Sequence, residues 1–185
     1  MRSAFAAWLF ICVAVVSLAE VADSGASGFT VKISTNISAP PTDVYSKLVH
    51  DIGNWWNSEH TFSKNAHNLS IDERVGGCFC EKLVDGAVRQ MEVGYLRTGK
   101  TIRLLGGLGP LQEVGASGAL TFNLTPEKSG TKLDVTYVVT GYSAQGMNDW
   151  AAPVDGVLSE QIARFKTYVE TGSAPGPEIP EQKPK

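Results

Sequence analysis

The sequence predicts an α+β fold in which a curved antiparallel sheet wraps around one long C-terminal helix, with two short helices after the first strand. Two observations carry this prediction. Apolar residues recur every three or four positions from Met147 to Val169, which places them on one stripe of a helix about 34 Å long. Before this helix, six stretches with strand character follow one another, separated by turn residues. Hairpin-linked strands form an antiparallel sheet, and a strongly twisted sheet can cover so long a stripe.

Residues 1–19 have the features of a secretory signal peptide. Arg2 precedes an uncharged apolar run from Ala4 to Val16, and Ser17-Leu18-Ala19 offers the small residues that a signal peptidase recognises. The apolar run is too short to span a bilayer comfortably. The sequence therefore predicts a secreted or periplasmic protein without a stable membrane anchor after signal cleavage.

The folded domain is predicted over residues 29–170. Residues 20–28, which contain several Gly and Ser, are interpreted as a linker, and residues 171–185, with four prolines, as a disordered tail. A 185-residue chain with 43% hydrophobic and 19% charged residues can bury a core without disulfides or metals. Its net charge is −3, about −4 once Arg2 is removed, and this disfavours nucleic acid as a partner.

The elements of the domain follow in chain order. Phe29 to Ser38 alternates apolar and polar residues, as a half-buried strand does. Pro40-Pro41 opens a helix, and Asp51 to Asn57 is predicted as a short helix or turn. Leu108 to Gly118 is predicted as a long connection with a helical turn. The six strand stretches are Leu69–Glu73, Gly76–Val84, Val88–Arg97, Thr101–Leu105, Ala119–Pro126 and Thr131–Tyr142. Within the last helix, Pro153 predicts a start or a kink close to itself.

Three runs of the sequence resemble a known superfamily. They are Gly76-Gly77-Cys78-Phe79-Cys80-Glu81, the run from Gly106 to Gln112, and Ala152-Pro153-Val154-Asp155. Together they resemble the START-like (SRPBCC) helix-grip superfamily, and in particular its bacterial branch named after the activator of the heat-shock-protein ATPase. The resemblance implies a pocket between the sheet and the C-terminal helix that takes a small apolar or amphipathic molecule.

The same resemblance leaves the activity open, because the superfamily includes lipid carriers, hormone receptors, polyketide cyclases, ring-hydroxylase subunits and co-chaperones. We expect a binding or carrier module. The main alternative is an enzyme of cyclase or hydrolase type acting in the same cavity. A co-chaperone is the second alternative, although it conflicts with the predicted export. No cofactor and no metal are predicted, and the oligomeric state is left open.

Gln161 is the polar residue of greatest interest on the helix. It projects from the middle of the apolar stripe, between Leu158, Ile162 and Phe165, so its amide needs a partner. That partner is either the polar end of a ligand or another group of the protein. The residues predicted to bind ligand are Trp55, His60, Phe79, Met91, Arg103, Trp150, Gln161 and Phe165.

His60 and Glu81 are the candidates for catalysis. His60 stands beside Glu59, and a histidine near a carboxylate can act as a general base, although it can equally be structural. Glu81 lies on a strand, where a charge usually faces solvent. Gln90 stands where the resemblance leads one to expect a histidine, so a proton-transfer role is not expected there.

Cys78 and Cys80 lie two positions apart on a strand, so both thiols point to one face. We expect buried or pocket-lining thiols. A disulfide between such neighbours strains the usual geometry, and a metal would need two more ligands, so both remain as minor alternatives. The glycines from Gly106 to Gly109 lack the Gly-Lys-Ser/Thr ending of a phosphate loop and are interpreted as a bend or bulge.

Overall fold

A computed structural model describes residues 18–176. It contains eight strands, three α-helices and three single 3₁₀ turns. The strands are β1 Leu18–Gly25, β2 Gly28–Ile37, β3 Leu69–Ile71, β4 Cys78–Lys82, β5 Ala87–Arg97, β6 Thr101–Leu105, β7 Ser117–Glu127 and β8 Gly130–Thr140. The α-helices are α1 Pro41–His50, α2 Ile52–Trp55 and α3 Asn148–Thr171, and the 3₁₀ turns are Ser58–His60, Ala66–Asn68 and Gly109–Gln112.

All eight strands form one antiparallel sheet in the order β1-β2-β8-β7-β6-β5-β4-β3. Strands β3 to β7 each pair with the next strand in the chain. On the other side of β8 lies β2, which pairs with it from Gly28 opposite Thr140 to Ile37 opposite Thr131. The inner face of this sheet and the apolar stripe of α3 bury one continuous core. The predicted α+β fold, a curved sheet around a long C-terminal helix, is confirmed.

Residues 20–28, predicted as a linker, are mostly strand. β1 pairs with β2 from Leu18 opposite Ser34 to Gly25 opposite Gly28. Among the described side chains of β1, only Val21 is partly buried, so the stretch lacks the apolar alternation by which strands are recognised in sequence. Its pairing satisfies the backbone groups along the edge of β2 instead. Of the predicted signal at residues 1–19, residues 1–17 lie outside the described residues, and Leu18 and Ala19 begin β1.

Helix α3 is the element predicted from Met147 to Val169. It begins at Asn148, continues through Pro153 as one helix, and ends at Gly172, whose positive φ of 85° gives the left-handed cap. The helix thus begins five residues before Pro153, where a start or a kink was predicted, and it is not interrupted there. Because Pro153 lies near the N-terminus, its missing N–H leaves only the carbonyl of Asp149 without its usual intrahelical donor. After the cap, Pro175 accepts a hydrogen bond from Arg164, and residues 177–185 of the predicted tail lie outside the described range.

Two irregularities in β5 change which side chains face the core. Met91 pairs with Phe79 and Arg89 with Cys80, so Gln90 is an extra residue and both Gln90 and Met91 are buried. A second shift lies between Val93 and Tyr95. Simple alternation predicts Tyr95 on the same face as Met91 and Val93, but this shift places it 42% exposed, with its ring beside Arg103 on the outer face.

Candidate functional site

A cavity of about 440 Å³ lies between the first half of α3 and the strands β3 to β5. The segment after α2 and the connection between β6 and β7 close its remaining sides. Its apolar lining consists of Trp56, Phe62, Leu69, Phe79, Leu108, Pro110, Leu111, Trp150, Pro153, Val154, Val157 and Leu158. Its polar lining consists of Glu59, His60, Thr61, Lys64 and Gln90. This volume and this predominance of apolar groups are typical of small-molecule sites.

Charged side chains collect at the mouth of the cavity. Glu59 and Lys64 are exposed, and their side chains form an ion pair of 3.5 Å. Lys64 Nζ also donates to the carbonyl of Glu59 at 2.9 Å. Phe62, 44% exposed, stands beside them. A ligand in the cavity would therefore meet charge and solvent at one end and apolar walls along the rest of its length.

His60 is hydrogen-bonded to Glu160 of α3, not to its sequence neighbour Glu59. His60 Nε2 lies 2.9 Å from Glu160 Oε2, and the Asn57 side chain donates to the other oxygen of Glu160. Burial alone would raise the pKa of Glu160, but the hydrogen bonds from Asn57 and His60, with the positive charge of Arg164, lower it on balance. The result is an oriented histidine–carboxylate pair at the cavity wall.

Glu81 and Gln90 form a buried polar group, of which only Gln90 lines the cavity. Glu81 is fully buried and accepts hydrogen bonds from the Ser63 backbone N–H and, at 2.8 Å, from Gln90 Nε2. Burial would raise the pKa of Glu81, but the hydrogen bonds from Ser63, Phe62 and Gln90 lower it below its ordinary value. A carboxylate held in this way stays ionised inside the protein and orients its donors.

Gln90 connects this carboxylate to the connection that covers the cavity. Its Oε1 accepts from the Gly109 N–H at 3.1 Å and from Gln112 Nε2 at 3.4 Å. Since Gln90 itself lines the cavity, the bulge in β5 is what gives the apolar wall an amide. Any replacement of Gln90 would change both the wall and the support of the covering segment.

Tyr137 holds the start of the same connection. Its hydroxyl donates to the Gly106 carbonyl at 3.1 Å and accepts from the Leu108 N–H at 3.0 Å, and burial raises its pKa to about 12. Gly107 passes so close to Ala116 that a Cβ atom would lie 2.4 Å from its carbonyl oxygen. The glycines predicted as a bend or bulge thus form a bend directly after β6. Hydrogen bonds to Tyr137 and Gln90 hold this bend in place.

Three of the eight residues predicted to bind ligand line the cavity: His60, Phe79 and Trp150. Four others belong to the filled part of the core, namely Trp55, Met91, Gln161 and Phe165. Arg103 lies on the outer face of the sheet, where its Nε donates to Thr121 at 3.0 Å and its guanidinium lies 5.7 Å from the centre of the Tyr95 ring. It does not face the cavity, because β6 alternates with Ile102 and Leu104 inward.

Gln161 has a partner in the protein. Its Oε1 accepts from the Asn57 N–H at 2.7 Å, and the side chain is completely buried. Among the described residues, its Nε2 lacks a hydrogen-bond partner. The contacts favour the structural alternative, in which the amide fixes the segment after α2 onto the helix.

Glu81 and His60, the two candidates for catalysis, belong to separate hydrogen-bonded groups. Glu81 is bonded to Ser63 and Gln90, whereas His60 is bonded to Glu160. The carboxylate that meets His60 is therefore one that sequence reasoning missed. Glu160 lies one hundred positions away in the chain, so no local spacing connects it to His60.

Sequence reasoning also missed Trp56 and the covering residues Leu108 and Leu111. Trp55 ends α2 and packs on Phe165 with ring centres 4.9 Å apart, while Trp56 is extended and turns toward Phe79 with ring centres 6.0 Å apart. The pattern shows that two adjacent tryptophans face different ways, but not which one meets the cavity. Leu108 and Leu111 belong to an irregular segment without periodicity.

Cys78 and Cys80 differ from the expectation of buried thiols. They are half-buried on the outer face of β4, since Phe79 and Glu81 point inward, and they are joined by a disulfide with a Cα–Cα distance of 5.2 Å. Two positions of a regular strand span about 6.7 Å, so the two Cα atoms lie closer together than a fully extended strand would place them. Within residues 18–176, no group of three or more His, Cys, Asp or Glu is placed to hold a metal ion.

No protein-family model matches the chain, and no curated protein matches its sequence. Solved structures match its fold. The conserved protein of unknown function EF2215 from Enterococcus faecalis superposes with a TM-score of 0.58 at 16% identity, over 88% of this chain and 82% of its own. CalU16 from Micromonospora echinospora gives a TM-score of 0.54 at 15% identity, over 88% of each chain.

The chain has the helix-grip fold. A third structure of this shape is DynU16, described as a putative protein in the dynemicin biosynthetic locus, with a TM-score of 0.54 at 16% identity over 78% of this chain and 48% of its own. Identities this low show the fold and not the activity. The finer assignment to the branch named after the activator of the heat-shock-protein ATPase stays a prediction. Within the described residues, no helix is long and apolar enough to cross a membrane.

Proposed function

We propose that the protein binds a small amphipathic molecule in the cavity between the sheet and the first half of α3. The observation that carries this proposal is the lining itself: aromatic and aliphatic side chains surround about 440 Å³, and the charged lining residues Glu59 and Lys64 are exposed to solvent. A space of this size is costly for stability, because its lining atoms lose dispersion contacts. Retaining such a space is most easily explained by an occupant.

The lining also suggests how the ligand is oriented. The apolar body would lie between Trp56, Phe79 and Trp150, with its polar end toward His60 and Lys64 at the mouth. The amide of Gln90 is the polar group of the inner wall, so a single acceptor or donor could be matched there. DynU16, which shares the fold, comes from a biosynthetic locus, and this is compatible with a small organic ligand.

Native mass spectrometry of the purified protein tests the proposal. We expect the wild type to retain a co-purifying small molecule that Val157→Trp loses, because Val157 lines the cavity and an indole there fills it. Val138→Trp is the matched control, since Val138 is 44% exposed on strand β8 and faces outward. Equal retention by both variants would contradict the cavity as the binding site.

A cyclase- or hydrolase-type enzyme is the second candidate, and the pair of His60 and Glu160 is the observation that favours it. An imidazole oriented by a carboxylate at the wall of a cavity can accept a proton from a bound substrate. Here His60→Gln should abolish conversion of the co-purified compound while leaving its binding intact. Unchanged turnover in His60→Gln would exclude this role.

The co-chaperone alternative rests on the resemblance alone and stays a hypothesis, as does export from the cytoplasm.

A further inference from the structure

The outer face of β4 carries a second chemical feature that the cavity does not use. Cys78 and Cys80 are joined in a disulfide on that face, on the side opposite to Phe79 and Glu81. Both residues are partly exposed to solvent. The sequence contains one further cysteine, Cys12, in the predicted signal.

The surroundings of the two sulfur atoms are open and polar. On one side β3 is a three-residue edge strand, and its exposed Ser70 lies opposite Cys80. The pairing of β3 with β4 starts at Phe79, so Cys78 lies beyond it and its carbonyl accepts from the Asp72 N–H. A disulfide that stabilises a core is normally covered by other side chains. This one can be approached by another molecule.

Charge is distributed unequally between the two cysteines. On β5, Arg89 lies opposite Cys80 and Glu92 lies opposite Cys78. Arg89 Nη1 and Glu92 Oε2 are 3.1 Å apart, so these two charges are paired with each other, and the strand register makes Arg89 the cationic residue opposite Cys80. A neighbouring guanidinium stabilises a thiolate, and a stabilised thiolate is the better leaving group in disulfide exchange.

The loop closed by this bond is very short, because only Phe79 lies between the two cysteines. A disulfide stabilises a fold mainly by restricting the unfolded chain, and this gain falls as the closed loop shortens. A cross-link between residues 78 and 80 therefore contributes little to holding the fold together. Accessibility, asymmetric charge and a minimal loop together distinguish an exchangeable disulfide from a structural one.

We propose that Cys78 and Cys80 form a thiol–disulfide exchange site whose substrates are dithiols. A thiolate of the dithiol attacks Cys78 Sγ, the bond between the two cysteines breaks, and its electron pair leaves on Cys80 Sγ beside Arg89. The second thiol of the substrate then attacks its own sulfur in the mixed disulfide and releases Cys78. The substrate is oxidised to a disulfide, the protein is reduced to the dithiol, and the two substrate protons end on the two cysteines.

The test uses the full chain with Cys12→Ser, so that Cys78 and Cys80 are its only thiols. The folded protein is equilibrated in buffers of reduced and oxidised glutathione, quenched with acid, and labelled with a maleimide for mass spectrometry. We expect a reversible change of two labels, half complete in a mixed glutathione buffer. A pair that stays oxidised in excess reduced glutathione until the protein is unfolded, or one that stays reduced in oxidised glutathione, overturns the proposal.

A second measurement tests the direction of attack. The rate of reduction by dithiothreitol is compared for wild type, Arg89→Gln and the control Arg97→Gln, an exposed arginine at the far end of the same strand. We expect reduction of Arg89→Gln to be several-fold slower and that of Arg97→Gln to equal the wild-type rate. Equal rates in all three would overturn Cys80 as the leaving sulfur. A purely structural disulfide would be insensitive to either arginine in the folded state.

Discussion

The two halves of α3 face the same sheet, but the first half lines a cavity and the second half is packed against other side chains. Residues 148–158, the cavity half, contribute Trp150, Pro153, Val154, Val157 and Leu158 to the lining of an open space. Residues 159–171, the packed half, bury Phe165 completely against Trp55. One amphipathic helix thus supplies both a wall of the cavity and a filled part of the core.

The difference comes from what covers each half. Over the packed half, α1 and α2 bring large side chains onto the helix, and Trp55 Nε1 is itself satisfied by the Lys47 carbonyl at 3.2 Å. Over the cavity half, the cover is the connection between β6 and β7, which reaches across the space and is tied to Gln90 and Tyr137. The large ring of Trp55 from α2 fills the space over the packed half, whereas the connection between β6 and β7 leaves a cavity over the other half. Stability and binding should therefore respond to different substitutions.

The largest expected effect is at the packed half. Phe165→Ala should lower the free energy of unfolding by about 3–5 kcal/mol, because it removes a fully buried ring and leaves a void beside Trp55. Urea denaturation measures this loss. Phe62→Ala, at the exposed mouth of the cavity, is the control and should change stability by no more than about 0.5 kcal/mol. Similar losses for both would mean that the two halves are not distinct.

Glu81→Gln should have the next largest effect, about 2–3 kcal/mol, because an amide presents a donor where Ser63 needs an acceptor. The pH dependence sharpens this prediction. The folded pKa of Glu81 lies below its ordinary value of 4.5, so its contribution is complete above that value and is lost as the pH falls through the folded pKa. Thermal unfolding followed from neutral to acid pH should show a shallower loss in Glu81→Gln than in wild type.

The control for this comparison is Glu127→Gln, an exposed carboxylate at the end of β7. It should reproduce both the wild-type stability and the wild-type acid dependence. An acid dependence in Glu81→Gln as steep as that of wild type would show that another group carries it.

Gln161→Leu should have a smaller effect, about 1 kcal/mol of destabilisation. The substitution leaves the buried Asn57 N–H without its acceptor, but it also removes an Nε2 group that lacks a partner among the described residues. Ligand affinity should be unchanged, since Gln161 belongs to the packed half. Calorimetric titration with the co-purified compound checks this, with Gln145→Leu in the exposed segment before α3 as the control. A tenfold loss of affinity would instead make Gln161 a ligand anchor.

The periodic elements were predictable from the sequence, and the irregular ones were not. Alternation and turn chemistry located β2 to β8, and the apolar stripe located α3 to within a few residues. The strand β1 was missed because its stability comes from backbone pairing rather than from buried side chains. Tertiary pairing leaves no periodic signal in such a stretch.

The site was less predictable for a related reason. Phe79 and Trp150 were found because each follows the period of its element, whereas Gln90 faces inward only through a bulge that places two adjacent residues on one side. The histidine–carboxylate pair joins His60 to Glu160 from opposite ends of the domain. The apolar stripe of α3 is alike along its length. Its pattern therefore could not show that the first half lines a cavity while the second half packs against Trp55.

Binding of 8-anilinonaphthalene-1-sulfonate, measured by isothermal titration calorimetry, tests the central comparison most directly. This probe has an apolar ring system and one anionic group, which suit the aromatic lining and Lys64 at the mouth. We expect Val157→Trp, in the cavity half, to weaken the probe's affinity by at least about tenfold, equivalent to roughly 1.4 kcal/mol. Phe165→Leu, in the packed half, should destabilise the protein and leave that affinity within about twofold of wild type. Undiminished binding in Val157→Trp, or a tenfold loss in Phe165→Leu, would contradict the division of α3 into a binding half and a packed half.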